Sequence, residues 1–160
     1  MSAYLVRNPL SSGQFLLATI LLLTAFPTPT QPPRQPAREI LITGLDYAFQ
    51  APDSASPGPV LLRFRNAGQV RHEVAVALLK PGITLTRVAQ STAAGGRPDS
   101  LIEGVVGILI AGPGATALGS LTTEFLPGRT YGLVCNFQDA PDKPRHMALG
   151  MVHELRITGP

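Results

Sequence analysis

The 160-residue sequence contains a single cysteine, and this shortage excludes several kinds of structure. One cysteine cannot form an internal disulfide, and it cannot supply a cysteine-rich zinc or iron–sulfur site. The chain also has no tryptophan, only 6% aromatic residues and only 14% charged residues. Glycine and proline are abundant, with 16 of each, and this content disfavours long helices and favours strands joined by turns. We therefore expect one domain of ordinary size, built mainly of strands.

The charge of the chain gives no reason to expect a nucleic-acid partner. The formal net charge is +3 at pH 7, but two of the thirteen basic residues, Arg7 and Arg34, precede the predicted domain. The remaining chain has eleven basic residues against ten acidic ones. With a net charge of only +1, the domain lacks the excess of positive charge that binds phosphate groups. Nucleic acid is therefore excluded as a partner class.

The first 37 residues are predicted to lie outside the fold. An apolar run of twelve residues, Phe15 to Phe26, follows the single charge at Arg7. This run is shorter than the roughly 20 residues of an ordinary spanning helix, and it suits the apolar region of a signal peptide. Residues 1–26 are therefore predicted to be a signal peptide or, alternatively, an uncleaved N-terminal anchor. Residues 27–37 hold five prolines and are predicted to be an extended spacer.

This leader implies an exported protein, periplasmic or extracellular. We expect it to meet a membrane only if the leader stays uncleaved and tethers the chain by its N-terminus.

Residues 38–160 are predicted to form one all-β domain, because apolar and polar residues alternate along most of its segments. In Pro59–Asn66, for example, Leu62 and Phe64 alternate with arginines, so that one face is buried and the other is wet. The other predicted strands are Glu39–Leu45, His72–Leu79, Val105–Ala111, Leu118–Phe125, Tyr131–Phe137 and Met151–Ile157.

One short helix is predicted over Thr84–Ala93, where Leu85, Val88 and Ala89 fall on one helical face. Seven short strands separated by Pro-Gly and Gly-rich turns predict a Greek-key β-sandwich.

Four side chains lie on or beside the predicted inward faces and offer a metal-ligand set: His72, Cys135, His146 and Met151. A thiolate, two imidazoles and a thioether are the ligands of a blue-copper electron-transfer site. Soft sulfur suits Cu(I), and imidazole suits copper in either oxidation state. The order is also informative, because one histidine lies upstream on a strand and the other three residues follow close together near the C-terminus.

With these residues in place, the chain resembles the cupredoxin family of blue, type 1 copper proteins, which are plastocyanin-like. The resemblance covers roughly residues 39–158. Three segments carry it: Phe64–Val76 (FRNAGQVRHEVAV), Pro127–Cys135 (PGRTYGLVC) and His146–Met151 (HMALGM). It implies a cupredoxin-like β-sandwich that binds copper. The implied equatorial ligands are His72, Cys135 and His146, and the implied weak axial ligand is Met151.

Two features depart from the family's pattern. The Cys-to-His ligand loop, residues 136–145, is ten residues long, whereas small cupredoxins have two to four residues there. Copper nitrite reductases are more similar to this chain, because their equivalent loop is also long. The second departure is Glu73, beside His72, where many cupredoxins carry an asparagine that ties the two ligand loops together.

Each proposed ligand also has a purely structural interpretation. A lone strand cysteine is commonly a small buried hydrophobe, and Met151 could be an ordinary core residue. His72 could be an inert histidine at a strand end, and His146 could simply be exposed. Two spare ligand candidates lie nearby, His153 and Met147. His153 shares the predicted face of Met151, whereas Met147 alternates away from the site.

The leading functional hypothesis is an exported, monomeric type 1 copper protein that transfers one electron and meets a redox partner protein. Because a type 1 site alone offers no position for a substrate, we do not expect an enzyme. One alternative is a copper-binding or copper-delivery protein without electron transfer. Another is a metal-free cupredoxin-like module that binds a protein partner.

Overall fold

The structure of the protein is a computed structural model that describes residues 36–94 and 96–159. The predicted leader, 1–26, lies outside these residues, as does the spacer except for its last two positions. Among the described residues, no helix is long and apolar enough to cross a membrane.

The described part of the chain contains nine β-strands, one α-helix and two 3-10 helices. The strands are β1 (Arg38–Leu45), β2 (Ala48–Gln50), β3 (Ser54–Ala55), β4 (Gly58–Asn66), β5 (His72–Leu79), β6 (Ile102–Ala111), β7 (Leu121–Phe125), β8 (Thr130–Val134) and β9 (Val152–Ile157). The α-helix is α1 (Leu85–Ala93), and the 3-10 helices are Pro98–Ser100 and His146–Leu149.

The strands form two sheets that enclose the hydrophobic core. The four-stranded sheet has the order β2-β1-β4-β7, and the five-stranded sheet has the order β3-β9-β8-β5-β6. Pairing is parallel between β1 and β4 and between β3 and β9, and antiparallel between the other neighbours. The predicted all-β sandwich with one short α-helix is confirmed.

The alternation that predicted the strands is also what fills the core. On β4, Leu62 and Phe64 are fully buried, whereas Arg63 and Arg65 between them are exposed. β5 and β8 supply Val74, Val76 and Leu133 to the same cluster. Because β5 and β8 are adjacent, the core packing also fixes the two segments that carry the first two predicted ligands.

Helix α1 begins where the sequence predicts it. The side chain of Thr84 caps the helix by accepting a hydrogen bond from the backbone N–H of Arg87. Leu85 and Val88 are buried against Leu79, at the end of β5. The helix therefore covers the outer side of the five-stranded sheet.

Several boundaries differ from the sequence-based expectation. Strand β8 ends at Val134, so the predicted strand Tyr131–Phe137 is three residues too long. β7 begins at Leu121 rather than at residue 118, because the chain before it makes only an isolated bridge between Thr116 and Arg65. β2 and β3 were missed, since strands of three and two residues are too short to show a period.

Candidate metal centre

Three of the four predicted ligands meet at one end of the sandwich, and all three are buried. The side chains of His72, Cys135 and His146 place one donor atom each within 4.8 Å of the others. The two imidazole Nδ1 atoms are 3.1 Å apart. The sulfur of Cys135 lies 3.4 Å from Nδ1 of His146 and 4.0 Å from Nδ1 of His72.

The upstream histidine is positioned by a tight connection between β4 and β5. Asn66 is completely buried; its side-chain amide donates to the carbonyls of Val70 and Ala111, and its side-chain oxygen accepts from the backbone N–H of Gly68. These bonds hold the chain that leads to His72, the first residue of β5.

Glycine at position 68 leaves room for the outer side of His72 and for Asp46. A Cβ atom there would lie 2.3 Å from Oδ1 of Asp46 and 3.0 Å from Nε2 of His72. The Asn-x-Gly segment that carries part of the family resemblance therefore has a direct structural explanation.

Cys135 follows the last residue of β8 and lies between the two segments that carry the other predicted ligands, one at Glu73 and one at residues 146–151. Its backbone N–H donates to the carbonyl of Met151, and its carbonyl accepts from the N–H of Met147. Its sulfur accepts a long hydrogen bond, 3.5 Å, from the backbone N–H of Glu73. The thiol is therefore fully enclosed and fixed from both sides.

The long ligand loop, residues 136–145, closes on itself and returns His146 to the site. The backbone N–H of His146 donates to the carbonyl of Phe137 at 2.8 Å. Within the loop the side-chain amide of Gln138 lies within hydrogen-bond distance of three carbonyl oxygens, and Arg145 donates to the carbonyl of Asn136. The ten-residue loop thus does not remove His146 from the cluster, and the alternative of an exposed histidine is wrong.

Met151 is fully buried directly after the 3-10 helix that His146 begins. Gly150 ends this helix with a φ of 106°, and the N–H of Met151 donates back to the carbonyl of His146. The left-handed conformation explains why a glycine precedes the methionine. The side-chain methyl of Met151 lies near Gly44, where a Cβ atom would be 3.3 Å away.

Glu73 links two segments that carry predicted ligands. Many cupredoxins have an asparagine at this position, and it makes a similar link between the ligand loops. Its carboxylate accepts a hydrogen bond from the backbone N–H of Asn136 at 3.1 Å. The strand that begins with His72 is thereby linked to the residue that follows Cys135. Glu73 itself is buried, at 7% exposure.

We expect Glu73→Ala to lower the stability of the protein by about 1–3 kcal/mol, because the N–H of Asn136 loses its acceptor. Glu73→Gln is the matched control, since its amide oxygen can still accept this bond. Urea unfolding of the metal-free variants measures the difference. Equal stabilities of the alanine and glutamine variants would contradict this role of the carboxylate.

Both histidines have a carboxylate at their outer nitrogen, but the two pairs differ. Nε2 of His146 is hydrogen-bonded to Oδ1 of Asp139 at 3.0 Å. Nε2 of His72 lies 3.5 Å from Oδ1 of Asp46, and it has no hydrogen-bond partner among the described residues. A further residue, Tyr47, donates its hydroxyl to Asp139 at 2.6 Å.

The sequence analysis did not identify Tyr47, Asp46 or Asp139 as partners of the two histidines. No spacing pattern points to Tyr47, which lies in the turn between β1 and β2. The one signal in the sequence is the residue type: tight turns usually carry glycine, asparagine or aspartate, so a tyrosine in this turn is unusual.

Burial and hydrogen bonding set the protonation of the site. Burial raises the pKa of the Cys135 thiol above its usual value, and burial lowers the pKa of His72. The hydrogen bond from Tyr47 lowers the pKa of Asp139 and raises that of Tyr47 itself. At neutral pH the metal-free site therefore contains a protonated thiol, a neutral His72 and an ionised Asp139.

The lowered pKa of His72 predicts that the metal-free protein loses stability on acidification. Below the unfolded-state pKa of about 6.5, the unfolded chain binds a proton that folded His72 resists. Burial and His146 oppose this proton, whereas Asp46 and Asp139 favour it; burial is the largest influence. Melting temperatures should therefore fall between pH 7.5 and 5.5.

In His72→Gln, which removes the imidazole, this fall should be smaller. A wild-type melting temperature that rises on acidification would contradict the prediction.

The donor set and its spacing fit a copper ion. Nitrogen and sulfur ligands lie about 2.0–2.3 Å from a first-row metal, which separates ligands of one trigonal plane by about 3.5 Å. The observed separations of 3.1, 3.4 and 4.0 Å bracket this value. A thiolate with two imidazoles is also the equatorial set that copper takes in blue sites.

The two spare candidates point elsewhere. Nε2 of His153 is 3.0 Å from the carbonyl oxygen of Pro52 and 3.6 Å from a carboxylate oxygen of Asp53. Met147 lines an apolar cavity of about 130 Å³ beneath helix α1, together with Val88. Met147 and His153 therefore do not join the cluster of His72, Cys135 and His146.

Solved auracyanin structures are similar to this chain. An auracyanin from Roseiflexus castenholzii is 18% identical, with a TM-score of 0.50 over 78% of this chain and 98% of its own. Auracyanin B is 22% identical, with a TM-score of 0.50 over 79% and 92% of the two chains. No protein-family model and no curated protein matches the chain. At this identity the likeness concerns the fold, and it confirms that the chain has the cupredoxin β-sandwich that its sequence resemblance implies.

Proposed function

We propose that this protein is an exported type 1 copper protein that carries single electrons to or from a redox partner protein. The observation that carries the proposal is the buried convergence of the Cys135 sulfur with the Nδ1 atoms of His72 and His146. Copper held by such a set can alternate between two oxidation states one electron at a time.

The protein's own contribution is a preformed set of ligands. His72 and Cys135 lie on neighbouring segments of one sheet, and Glu73 ties these segments together. The backbone N–H of Met151 donates to the carbonyl of His146, and the carbonyl of Met151 accepts from the N–H of Cys135. Ligands fixed in this way need little rearrangement when the charge of the site changes, which favours rapid electron transfer.

We propose Met151 as the fourth, axial ligand. It is fully buried and immediately follows the helix of His146, and a thioether is the weak axial donor of blue-copper sites. Met151→Leu, which nearly conserves volume, is expected to retain copper and to change the colour and reduction potential.

Delivery of Cu(I) is less well supported than electron transfer. A delivery protein would use the donors of the His146–His153 segment together, but Met147 and His153 point to other parts of the molecule. In addition, the thiol and both imidazoles are buried, whereas transfer of a metal between proteins requires ligands that an incoming protein can reach. These features favour a resident ion over a transferred one.

The proposals of export and of a protein partner rest on other observations. The apolar run Phe15–Phe26 supports export, and the near balance of charge in the domain supports a protein partner over nucleic acid. We propose a monomer that acts in the periplasm or outside the cell. The neighbouring auracyanin was solved after reduction with dithionite, which supports a redox role.

The test is the visible and electron paramagnetic resonance spectrum of the purified protein with one equivalent of Cu(II). We expect an intense blue colour that dithionite removes and a mild oxidant restores. A colourless stoichiometric complex would contradict the type 1 site, and a blue complex that cannot be cycled would contradict electron transfer. The mass of the protein recovered from the periplasm and medium tests export and leader cleavage.

A further inference from the structure

His146 is almost completely buried, at 1% exposure, although it lies beside a long loop at the end of the sandwich. The loop itself provides the cover. Asp139, in the middle of residues 136–145, folds back so that its carboxylate meets the outer nitrogen of His146 at 3.0 Å.

Tyr47 completes the cover from the opposite sheet. Its hydroxyl donates to the second carboxylate oxygen of Asp139 at 2.6 Å. Its ring stands edge-on to both imidazoles, with centroids 5.0 Å from His146 and 6.3 Å from His72. One aromatic side chain thus contacts the carboxylate and the two rings at once.

The backbone of Tyr47 adopts an energetically unfavourable conformation where these contacts are made. Its φ is 63°, and Tyr47 is the one non-glycine residue with positive φ among the described residues. A side chain in this left-handed region costs about 1–2 kcal/mol relative to ordinary conformations. Backbone strain of this kind at a bulky residue is characteristic of functional sites, where surrounding contacts maintain it.

We propose that Tyr47 and Asp139 form a shield that positions His146 for metal binding and keeps water from its outer nitrogen. The carboxylate of Asp139 accepts a hydrogen bond from Nε2–H of His146. The proton therefore stays on Nε2, and the unprotonated Nδ1 presents its lone pair toward Cys135. Tyr47 in turn fixes the carboxylate through the second oxygen. Both are positioning residues, because they act on the metal through His146.

The shield gives the long ligand loop a role. Gln138 and Arg145 bond to loop carbonyls and hold its shape, so Asp139 is presented at a defined place. Asp139 and Tyr47 therefore cover the outer edge of the His146 ring. The inference rests on the proposed function, since it assigns the shield to that same site.

Its test uses the full-length protein and the variants Asp139→Ala, Asp139→Asn and Tyr47→Phe. Loss of a carboxylate that orients a ligating histidine lowers metal affinity by roughly 10–100-fold, and this is the expected effect of Asp139→Ala. Asp139→Asn, which keeps one acceptor, should recover part of the loss. Tyr47→Phe should weaken binding by roughly 3–10-fold, the effect of one lost hydrogen bond.

Two matched controls separate positioning from general damage. Asp142→Ala removes an equal charge from an exposed position of the same loop. Tyr131→Phe removes a buried tyrosine hydroxyl, which lies between Leu126 and Glu124. Both should keep wild-type copper affinity in competition with a chelator, even where Tyr131→Phe lowers the melting temperature. Affinities of Asp139→Ala and Tyr47→Phe within twofold of wild type would overturn the shield.

A second measurement needs no copper. Nitrogen-15 chemical shifts of the imidazole in the metal-free protein report which ring nitrogen carries the proton. We expect the Nε2–H form for His146 in the wild type and a mixture of both forms in Asp139→Ala. If the wild type fails to bind copper, the proposed function fails, and this measurement alone decides the shield. An unchanged tautomer in Asp139→Ala would overturn it.

Discussion

Cys135→Ser is expected to abolish the blue colour and to weaken copper binding by more than the roughly 100-fold that loss of a residue supporting a ligand causes. The serine hydroxyl occupies nearly the same place as the thiol, but it stays protonated at neutral pH and is a hard donor. Sulfur is the one soft donor among the proposed equatorial ligands, so Cu(I) loses most from the change. Visible spectra and competition titrations with Cu(I) and Cu(II) measure both effects.

The fold of this variant should persist, because the volume change is small and the backbone bonds of residue 135 to Met151 and Met147 are kept. A circular dichroism spectrum and a melting temperature close to those of the metal-free wild type are the controls. His153→Gln is the matched ligand control, since that imidazole points away from the site, and it should stay blue. Tight Cu(I) binding that survives Cys135→Ser would favour the delivery hypothesis instead.

Most of the sandwich could be predicted because its strands are half buried. Where one face is wet and the other packed, as at Leu62 and Phe64 against their neighbouring arginines, period-two alternation appears directly in the sequence. The alternation could not show where β8 ends. Cys135 continues the buried pattern of Tyr131 and Leu133, but its backbone leaves the sheet ladder to bond with Met147 and Met151.

The ligands could be proposed from the sequence because donor type and order are constrained by the metal. The residues around them could not, since their role comes from tertiary contacts. Tyr47 and Asp139 are 92 positions apart, and a tyrosine at positive φ is unfavourable by local propensity. Glu73 illustrates the same limit, because its bond to Asn136 could be recognised only after the two strands were paired.

Phe64→Ala is expected to have the largest effect on stability, about 3–5 kcal/mol. Phe64 is fully buried at the centre of the core, its ring lies 6.3 Å from that of Phe49, and it approaches Gly44 so closely that a Cβ there would be 3.0 Å away. Rigid strands on both sides cannot collapse fully into the space, so a cavity remains. The melting temperature of the metal-free protein should fall by roughly 10–20 °C.

The same substitution separates the stability of the fold from the chemistry of the site. Phe64 and the methyl group of Met151 both pack at Gly44, so the cavity loosens the proposed axial ligand while the thiolate and imidazoles remain. The variant should therefore stay blue, and copper should raise its melting temperature, because an ion that binds only the folded state stabilises that state.

Phe137→Ala is the control for the loss of stability. This half-buried ring lies at the edge of the core beneath Arg71, so its removal should lower the stability much less. A Phe64→Ala protein as stable as Phe137→Ala would show that the core does not depend on this ring.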